Sequence, residues 1–150
     1  MTNPELRAAL IAAFPPLPIT RETIHTADAR WADYEKRDDL PLIEGKSWVE
    51  LASEILERHA ALLVYAGGAL YRAILPAYLL AIVEHEYSTS LPFHVGRQLT
   101  CTDSNVDREI FNERVGPMTA EQRDVVRRAI VMFSEQALLR EIGSVAIRSW

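Results

Sequence analysis

The longest apolar stretch of the chain runs from Ala60 to Val83, and Arg72 is its only charged residue. A stretch of this length is sufficient for a membrane-spanning helix. However, Arg72 lies near its middle, where a charge is costly in lipid, and Gly67-Gly68 and Pro76 divide it into pieces too short to cross alone. We therefore expect the stretch to form the buried helical centre of a folded domain.

Two helices are expected within this centre. A short helix at Ala69–Ile74 is predicted to end before Pro76, and Pro76 is predicted to start a second helix that runs to about Glu86. The second helix is apolar nearly all round, which is typical of a helix in the middle of a domain. The predicted fold is therefore mainly α, a single compact multi-helix domain with an apolar central helix at about residues 69–86 and little or no sheet.

The flanking helices have recognisable starts. Ser47 with Glu50, and Thr119 with Gln122, have the spacing of a capping box, in which each side chain satisfies the other residue's free backbone N–H. The residues expected to face the core follow at helical spacing: Trp48, Leu51, Ala52, Ile55, Leu56 and His59 after Ser47, and Val125, Val126, Ala129, Ile130 and Phe133 after Thr119.

The two ends of the chain are also expected to be helical. Asn3 is predicted to cap a helix at residues 4–14, with Leu6, Leu10, Ile11 and Phe14 on its core face. Near the other end, Gly143 is expected to weaken the last helix by about 1 kcal/mol relative to alanine.

Composition limits the class of protein further. The chain has 150 residues, a formal net charge of −5 and one cysteine. One cysteine excludes an internal disulfide and a multi-cysteine metal site. The acidic balance argues against a nucleic-acid partner, and the first residues lack the pattern of a signal peptide. We expect one helical domain over residues 1–150, located in the cytoplasm, with no cofactor or metal and with neither nucleic acid nor membrane as a partner.

The sequence Gly45-Lys46-Ser47 resembles the end of a phosphate-binding loop. That motif requires another glycine five positions earlier, where this chain has Leu40, and no apolar strand precedes it. Ser47 is better explained as the residue that caps the following helix.

Histidines and the cysteine are the candidate catalytic or metal-binding groups. Glu84-His85-Glu86 is the densest cluster, but neighbouring helix residues point in different directions and cannot chelate one ion together. His85, His94 and Cys101 can form a site only if folding brings them together. A small enzyme or metal-binding protein with a site near His85 and His94 is therefore kept as an alternative.

Charged surfaces give the remaining candidates. Arg114, Arg123, Arg127 and Arg128 form the main positive group and are interpreted as a solvated helix face, with Asp124 placed to pair with Arg128. The strongest acidic patch lies on an expected surface loop and consists of Asp33, Glu35, Asp38 and Asp39. Such a patch can capture a basic partner electrostatically.

Several spaced segments together resemble a family of small bacterial proteins of unknown function. The segments are Gly45-Lys46-Ser47-Trp48, the stretch from Leu70 to Tyr78, Met118-Thr119-Ala120-Glu121-Gln122 and the final Ser149-Trp150. The family is marked by a Tyr-Leu-Pro-Ala-Tyr-type segment and a Thr-x-x-Gln helix start; here Ile74 stands in place of the first aromatic residue. The resemblance covers roughly residues 40–150 and implies a helical fold, with no known activity.

These observations favour a non-enzymatic protein-binding module. In size and acidity the chain is similar to bacterial immunity proteins that neutralise toxins, so an immunity-type inhibitor is the leading hypothesis. Its partner-binding residues would be Asp33, Glu35, Asp38 and Asp39, and its partner a protein with a basic surface. A homo-oligomeric structural protein, such as a homodimer, is the third possibility.

Overall fold

The computed structural model describes residues 1–25, 41–51, 53–84, 91–136 and 140–150. Its helices are α1 (Asn3–Ala13), α2 (Arg21–His25), α3 (Ser53–Arg58), α4 (Leu62–Tyr65), α5 (Gly68–Glu84), α6 (Leu91–Gln98), α7 (Asn105–Val115), α8 (Ala120–Ser134) and α9 (Arg140–Ala146). Single 3₁₀ turns lie at Trp48–Glu50 and Ile147–Ser149. No strand is present in these ranges, which confirms the predicted mainly α fold.

Helix α5 forms the centre of the domain, as predicted. Thirteen of its 17 residues are buried, and it packs against α1, α7 and α8 as well as against the shorter helices α2, α3, α4 and α6. An apolar sequence on nearly every side is what such a position requires, because most of the helix surface is shielded from water. Within the described ranges, no helix combines the length and the apolar character needed to cross a bilayer.

The predicted break at Pro76 is wrong, because α5 continues through this residue without interruption. A proline inside a helix lacks the N–H that would bond to the carbonyl four residues earlier, at a cost of about 3 kcal/mol. The residues on both sides of Pro76 are fully buried, including Ile74, Leu75 and Tyr78. Each such side chain contributes roughly 1.5–3 kcal/mol on burial, which outweighs the cost of the proline.

Helix α1 begins one residue earlier than expected. Thr2, and not Asn3, is its N-cap and forms a capping box with Glu5. Asn3 instead donates from Nδ2 to the Val83 carbonyl oxygen at 3.3 Å, which ties α1 to the end of α5. On the predicted core face, Leu6, Leu10 and Phe14 are buried, whereas Ile11 is 39% exposed. The predicted burial of Ile11 is therefore wrong, and Ala13 faces the core instead.

The capping box at Ser47 is confirmed, but the helix that it starts is short. The backbone N–H and the hydroxyl of Ser47 both donate to Glu50 Oε2, at 2.7 and 2.6 Å. The 3₁₀ turn ends at Leu51, which has an extended backbone (φ −75°, ψ 111°), and α3 begins at Ser53. The single helix predicted from Ser47 to His59 is therefore interrupted at Leu51.

Helix α8 agrees with its prediction in both start and core face. Thr119 and Gln122 form the capping box, and all five predicted core residues of the helix are buried. Its neighbour α9 crosses it closely at Gly143, where an added Cβ would lie 2.2 Å from Ser134 Cβ. The glycine that the sequence marks as a weakness is thus required by the packing of these two helices.

Candidate binding site

Polar side chains bind carbonyl groups at the carboxyl ends of several helices. The last carbonyls of a helix have no partner within the helix and need donors from elsewhere. At the end of α1, Trp48 Nε1 donates to the Phe14 carbonyl at 2.8 Å and Gln122 Nε2 donates to the Ala13 carbonyl at 2.9 Å. Just beyond α3, the Tyr78 hydroxyl donates to the His59 carbonyl at 2.8 Å.

The same arrangement occurs beside α6. The Tyr71 hydroxyl donates to the Gln98 carbonyl at 3.1 Å, and Trp150 Nε1 donates to the Leu99 carbonyl at 2.7 Å. Burial raises the pKa of the Tyr71 hydroxyl, and the nearby charge of Arg114 opposes this rise. The phenol therefore keeps its proton and remains a donor at neutral pH.

The residues that carry the family resemblance are therefore used to hold helices together. Trp48, Tyr71, Tyr78, Gln122 and Trp150 all come from the segments that define it. Each joins two elements that are distant in the sequence through a hydrogen bond from a side chain to a carbonyl. The presence of these five residues is explained by the hydrogen bonds that join the helices.

Arg114 is the most deeply buried charged residue that the structure describes, with 7% of its surface exposed. Its Nη2 donates to the carbonyls of Leu63, Val64 and Ala66 at 3.2, 2.9 and 3.0 Å, and its Nη1 donates to Gln98 Oε1 at 2.8 Å. The guanidinium carbon also lies 4.7 Å from the centre of the Tyr71 ring, within cation–π distance. The prediction that Arg114 belongs to a solvated positive face is therefore wrong, because this arginine binds the end of α4.

Arg72 plays a corresponding part at the end of α7. Its Nη1 donates to the carbonyls of Glu113 and Arg114 at 2.9 and 3.1 Å. In return, the Glu113 carboxylate accepts the backbone N–H of Gly68, at the start of α5, at 3.1 Å. Burial lowers the pKa of Arg72, and the charge of Glu113 opposes that effect. The one charge in the apolar stretch is thus explained by its contact with α7.

A groove of about 830 Å³ lies between α6, α7 and α9. It exists because α6 packs on α9 and α7 packs on α5, which leaves a space between α7 and the pair formed by α6 and α9. Its apolar lining consists of Val64, Phe93, Ile110, Phe111, Ile142 and Val145. Phe93 is 65% exposed, which is unusual for a phenylalanine, and it lies where a bound molecule would contact it.

Charged side chains from three helices also line the groove. His94 and Arg97 come from α6, Asp107 from α7 and Glu141 from α9, while Arg114 lines it from within the core. Asp107 accepts a hydrogen bond from the Thr102 hydroxyl. His94 and Arg97 have no hydrogen-bond or ion-pair partner, as far as the structure describes the chain.

The predicted acidic patch lies outside the described residues, whereas the residues that flank it on both sides are described. Asp33, Glu35, Asp38 and Asp39 belong to the segment 26–40. On its two sides, Ile24 and Ile43 are both buried. The N–H of Ile19 donates to the Lys46 carbonyl at 2.9 Å and the N–H of Gly45 donates to the Ile19 carbonyl at 2.8 Å. The chain therefore leaves and rejoins the helical core at one place.

The alternative site near His85 and His94 lies only partly within the described residues. His85 lies outside the described residues, and His94 is an exposed residue on the groove. Cys101 is half-buried; its N–H donates to Ser149 Oγ at 2.9 Å and its Sγ lies 3.5 Å from the Thr102 carbonyl oxygen. No group of three potential metal ligands occurs within the part of the chain that the structure describes.

Sequence reasoning did not predict the groove beside α6. In α6 the core face is formed by Leu91 and Val95, so Phe93 and Arg97 fall on the opposite face. An aromatic residue on the polar face of an amphipathic helix is the signal that points to a binding surface there. The rest of the groove depends on α7 and α9 and has no local sequence pattern.

Comparison of the chain with protein-family models, with curated proteins and with solved structures finds no match. The resemblance to a family of small bacterial proteins therefore stays a prediction from the sequence.

Proposed function

We propose that this chain is a non-enzymatic protein-binding module that captures a partner with a basic surface through the segment 26–40. The observation that supports this most is that the residues before the segment are hydrogen-bonded to the residues after it. The backbone hydrogen bonds of Ile19 with Gly45 and Lys46 join the two parts of the chain that flank the segment. Ile24 and Ile43 anchor these two parts in the core. Four carboxylates within seven positions thus belong to a segment whose two flanking parts are bonded to each other.

Charge favours a basic partner. Asp33, Glu35, Asp38 and Asp39 contribute four negative charges, offset locally by Lys36 and Arg37, in a chain whose net charge is −5. Complementary charge accelerates encounter with a basic protein and disfavours acidic ones. A toxin inhibited by a cytoplasmic immunity-type protein is the partner class that we propose, on the likeness in size and acidity to such inhibitors.

The proposal is tested by immobilising the protein and identifying what it retains from a lysate of its source organism. Asp38→Asn with Asp39→Asn removes two charges from the segment. Glu57→Gln with Glu109→Gln removes two exposed carboxyls elsewhere and is the matched control. We expect a basic protein that is retained by the wild type and the control, lost by the first variant, and released by salt.

Retention of the same protein by all three forms would show that the acidic segment is not the binding surface. If the partner is a toxin, co-expression with the wild type should protect growth and co-expression with the segment variant should not. Equal protection by both would contradict the inhibitory mechanism.

The two other hypotheses are separated by measurements on the same purified protein. A stoichiometric metal ion would favour a metal site that includes His94 and, outside the described residues, His85. A dimer in light scattering at micromolar concentration would favour the homo-oligomeric protein. We expect a monomer until the partner is added.

A further inference from the structure

We propose that the groove between α6, α7 and α9 binds a small amphipathic carboxylate, independently of the protein partner proposed above. The carboxylate would lie against His94 and Arg97, and the apolar part of the ligand would lie along Ile110, Ile142 and Val145. The size of the groove is suitable, because 830 Å³ falls within the usual range of about 300–1,000 Å³ for small-molecule sites.

The lining supports a ligand with an apolar body. Six apolar side chains from four helices face the groove, and Phe93 keeps 65% of its surface exposed at its edge. Binding sites for small molecules are typically lined by hydrophobic and aromatic residues with a few polar groups that fix the orientation. An apolar chain in the groove would cover surface that water now contacts.

The charges indicate which head group the ligand carries. His94 and Arg97 lie one turn apart on α6 and have no partner among the described residues, so both are available to an anion. The guanidinium of an arginine such as Arg97 binds a carboxylate through two parallel hydrogen bonds. Asp107 is already bound to the Thr102 hydroxyl.

Glu141 is the charge that opposes this arrangement. It lines the groove from α9, and its carboxylate has no hydrogen-bond or ion-pair partner within the described ranges. A cationic head group would approach Glu141 and leave Arg97 unused. Helix α6 contributes two basic side chains, His94 and Arg97, whereas Glu141 is a single opposing carboxylate. We therefore expect the ligand to carry an anionic head group and to place it beside α6.

The test uses decanoate, with decanol and decylamine as ligands of the same chain length and different charge. Each is titrated into the protein below its micelle-forming concentration, and binding is followed by calorimetry and by amide chemical shifts. We expect saturable 1:1 binding of decanoate, shift changes confined to α6, α7 and α9, and affinity at least tenfold lower for decanol and decylamine.

Variants then locate the head group. Arg97→Gln should weaken decanoate binding at least tenfold, and Glu141→Gln should strengthen it. Arg148→Gln removes the same charge from an exposed residue outside the groove and should leave the affinity unchanged. The proposal is overturned if decanoate does not saturate, if decylamine or decanol binds as well, or if Arg97→Gln and Arg148→Gln have equal effects.

Discussion

Arg72 and Glu113 each cap the helix to which the other belongs. The Arg72 guanidinium binds the Glu113 carbonyl at 2.9 Å, at the end of α7, and the Glu113 carboxylate binds the Gly68 N–H at 3.1 Å, at the start of α5. The positive group thus meets the negative end of one helix dipole, and the negative group meets the positive end of the other. These two contacts fix the position of α7 against the central helix α5.

The reciprocal caps should be energetically coupled. Glu113→Ala removes an N-terminal cap and is expected to lower the free energy of unfolding by about 1 kcal/mol. Arg72→Met removes charged hydrogen bonds to two carbonyls and should cost roughly 2–3 kcal/mol. In urea denaturation the double variant should lose less than the sum of the two. Glu109→Ala, at an exposed position of the same helix, is the control; strict additivity would argue against the coupling.

The buried arginine should matter far more than an exposed one. Arg114→Met leaves the carbonyls of Leu63, Val64 and Ala66 without their donor and should cost roughly 2–5 kcal/mol. Arg128→Gln breaks only the exposed ion pair with Asp124 and should cost less than about 1 kcal/mol. Thermal unfolding of the two variants compares them directly. Similar losses would mean that Arg114 does not hold the end of α4.

Contact between α6 and α9 should depend on the absence of a side chain at Gly96. A Cβ added there would lie 1.9 Å from Ile142 Cγ2 but 3.4 Å from Ile142 Cβ. Gly96→Ala should therefore destabilise the wild type by roughly 1–3 kcal/mol. In an Ile142→Ala background the clash is gone, and the same change should be nearly neutral. An equal loss in both backgrounds would place the strain elsewhere.

Two capping carboxylates should contribute to the acid sensitivity of the fold. Hydrogen bonds from the Thr2 backbone and hydroxyl hold the pKa of Glu5 below its ordinary value of 4.5. Hydrogen bonds from the Ser47 hydroxyl and backbone do the same for the pKa of Glu50. A lowered folded-state pKa stabilises the fold above pH 4.5, and this stabilisation is lost as the pH falls through the lowered values.

The combined variant Glu5→Gln with Glu50→Gln should show a shallower loss of stability below pH 4.5 than the wild type. Glutamine keeps a hydrogen-bonding side chain at each cap, as Gln122 does at Thr119. Chemical denaturation at a series of pH values measures the slope. Glu57→Gln with Glu109→Gln serves as the comparison with equal charge, and an identical slope for both double variants would contradict the prediction.

Local sequence patterns predicted a helix well where its cap and the periodicity of its apolar residues agreed. The capping box and core face of α8 are encoded within 15 consecutive residues, and the apolar sequence of α5 determines its central position. The predicted break at Pro76 failed because a local rule on proline was outweighed by the burial of residues on both sides of it. The N-cap of α1 was misplaced by one residue, within the usual uncertainty of helix boundaries.

The hydrogen bonds that join the helices are non-local and could not be predicted in the same way. Gln122 binds the carbonyl of Ala13, 109 positions earlier, and Arg114 binds carbonyls about 50 positions earlier. Nothing in the sequence around Arg114 distinguishes it from the exposed Arg127 and Arg128. The groove depends similarly on three helices that meet only in the folded chain.

The most direct test of the proposed function is hydrogen–deuterium exchange of the protein with and without the basic partner protein that we propose. Binding through the acidic segment predicts slower exchange of the amides in residues 26–40, with the flanking residues around Ile24 and Ile43 already protected in the free protein. The rest of the domain should exchange equally in the two states. Slower exchange confined to α6 and α9, with residues 26–40 unchanged, would contradict the proposal.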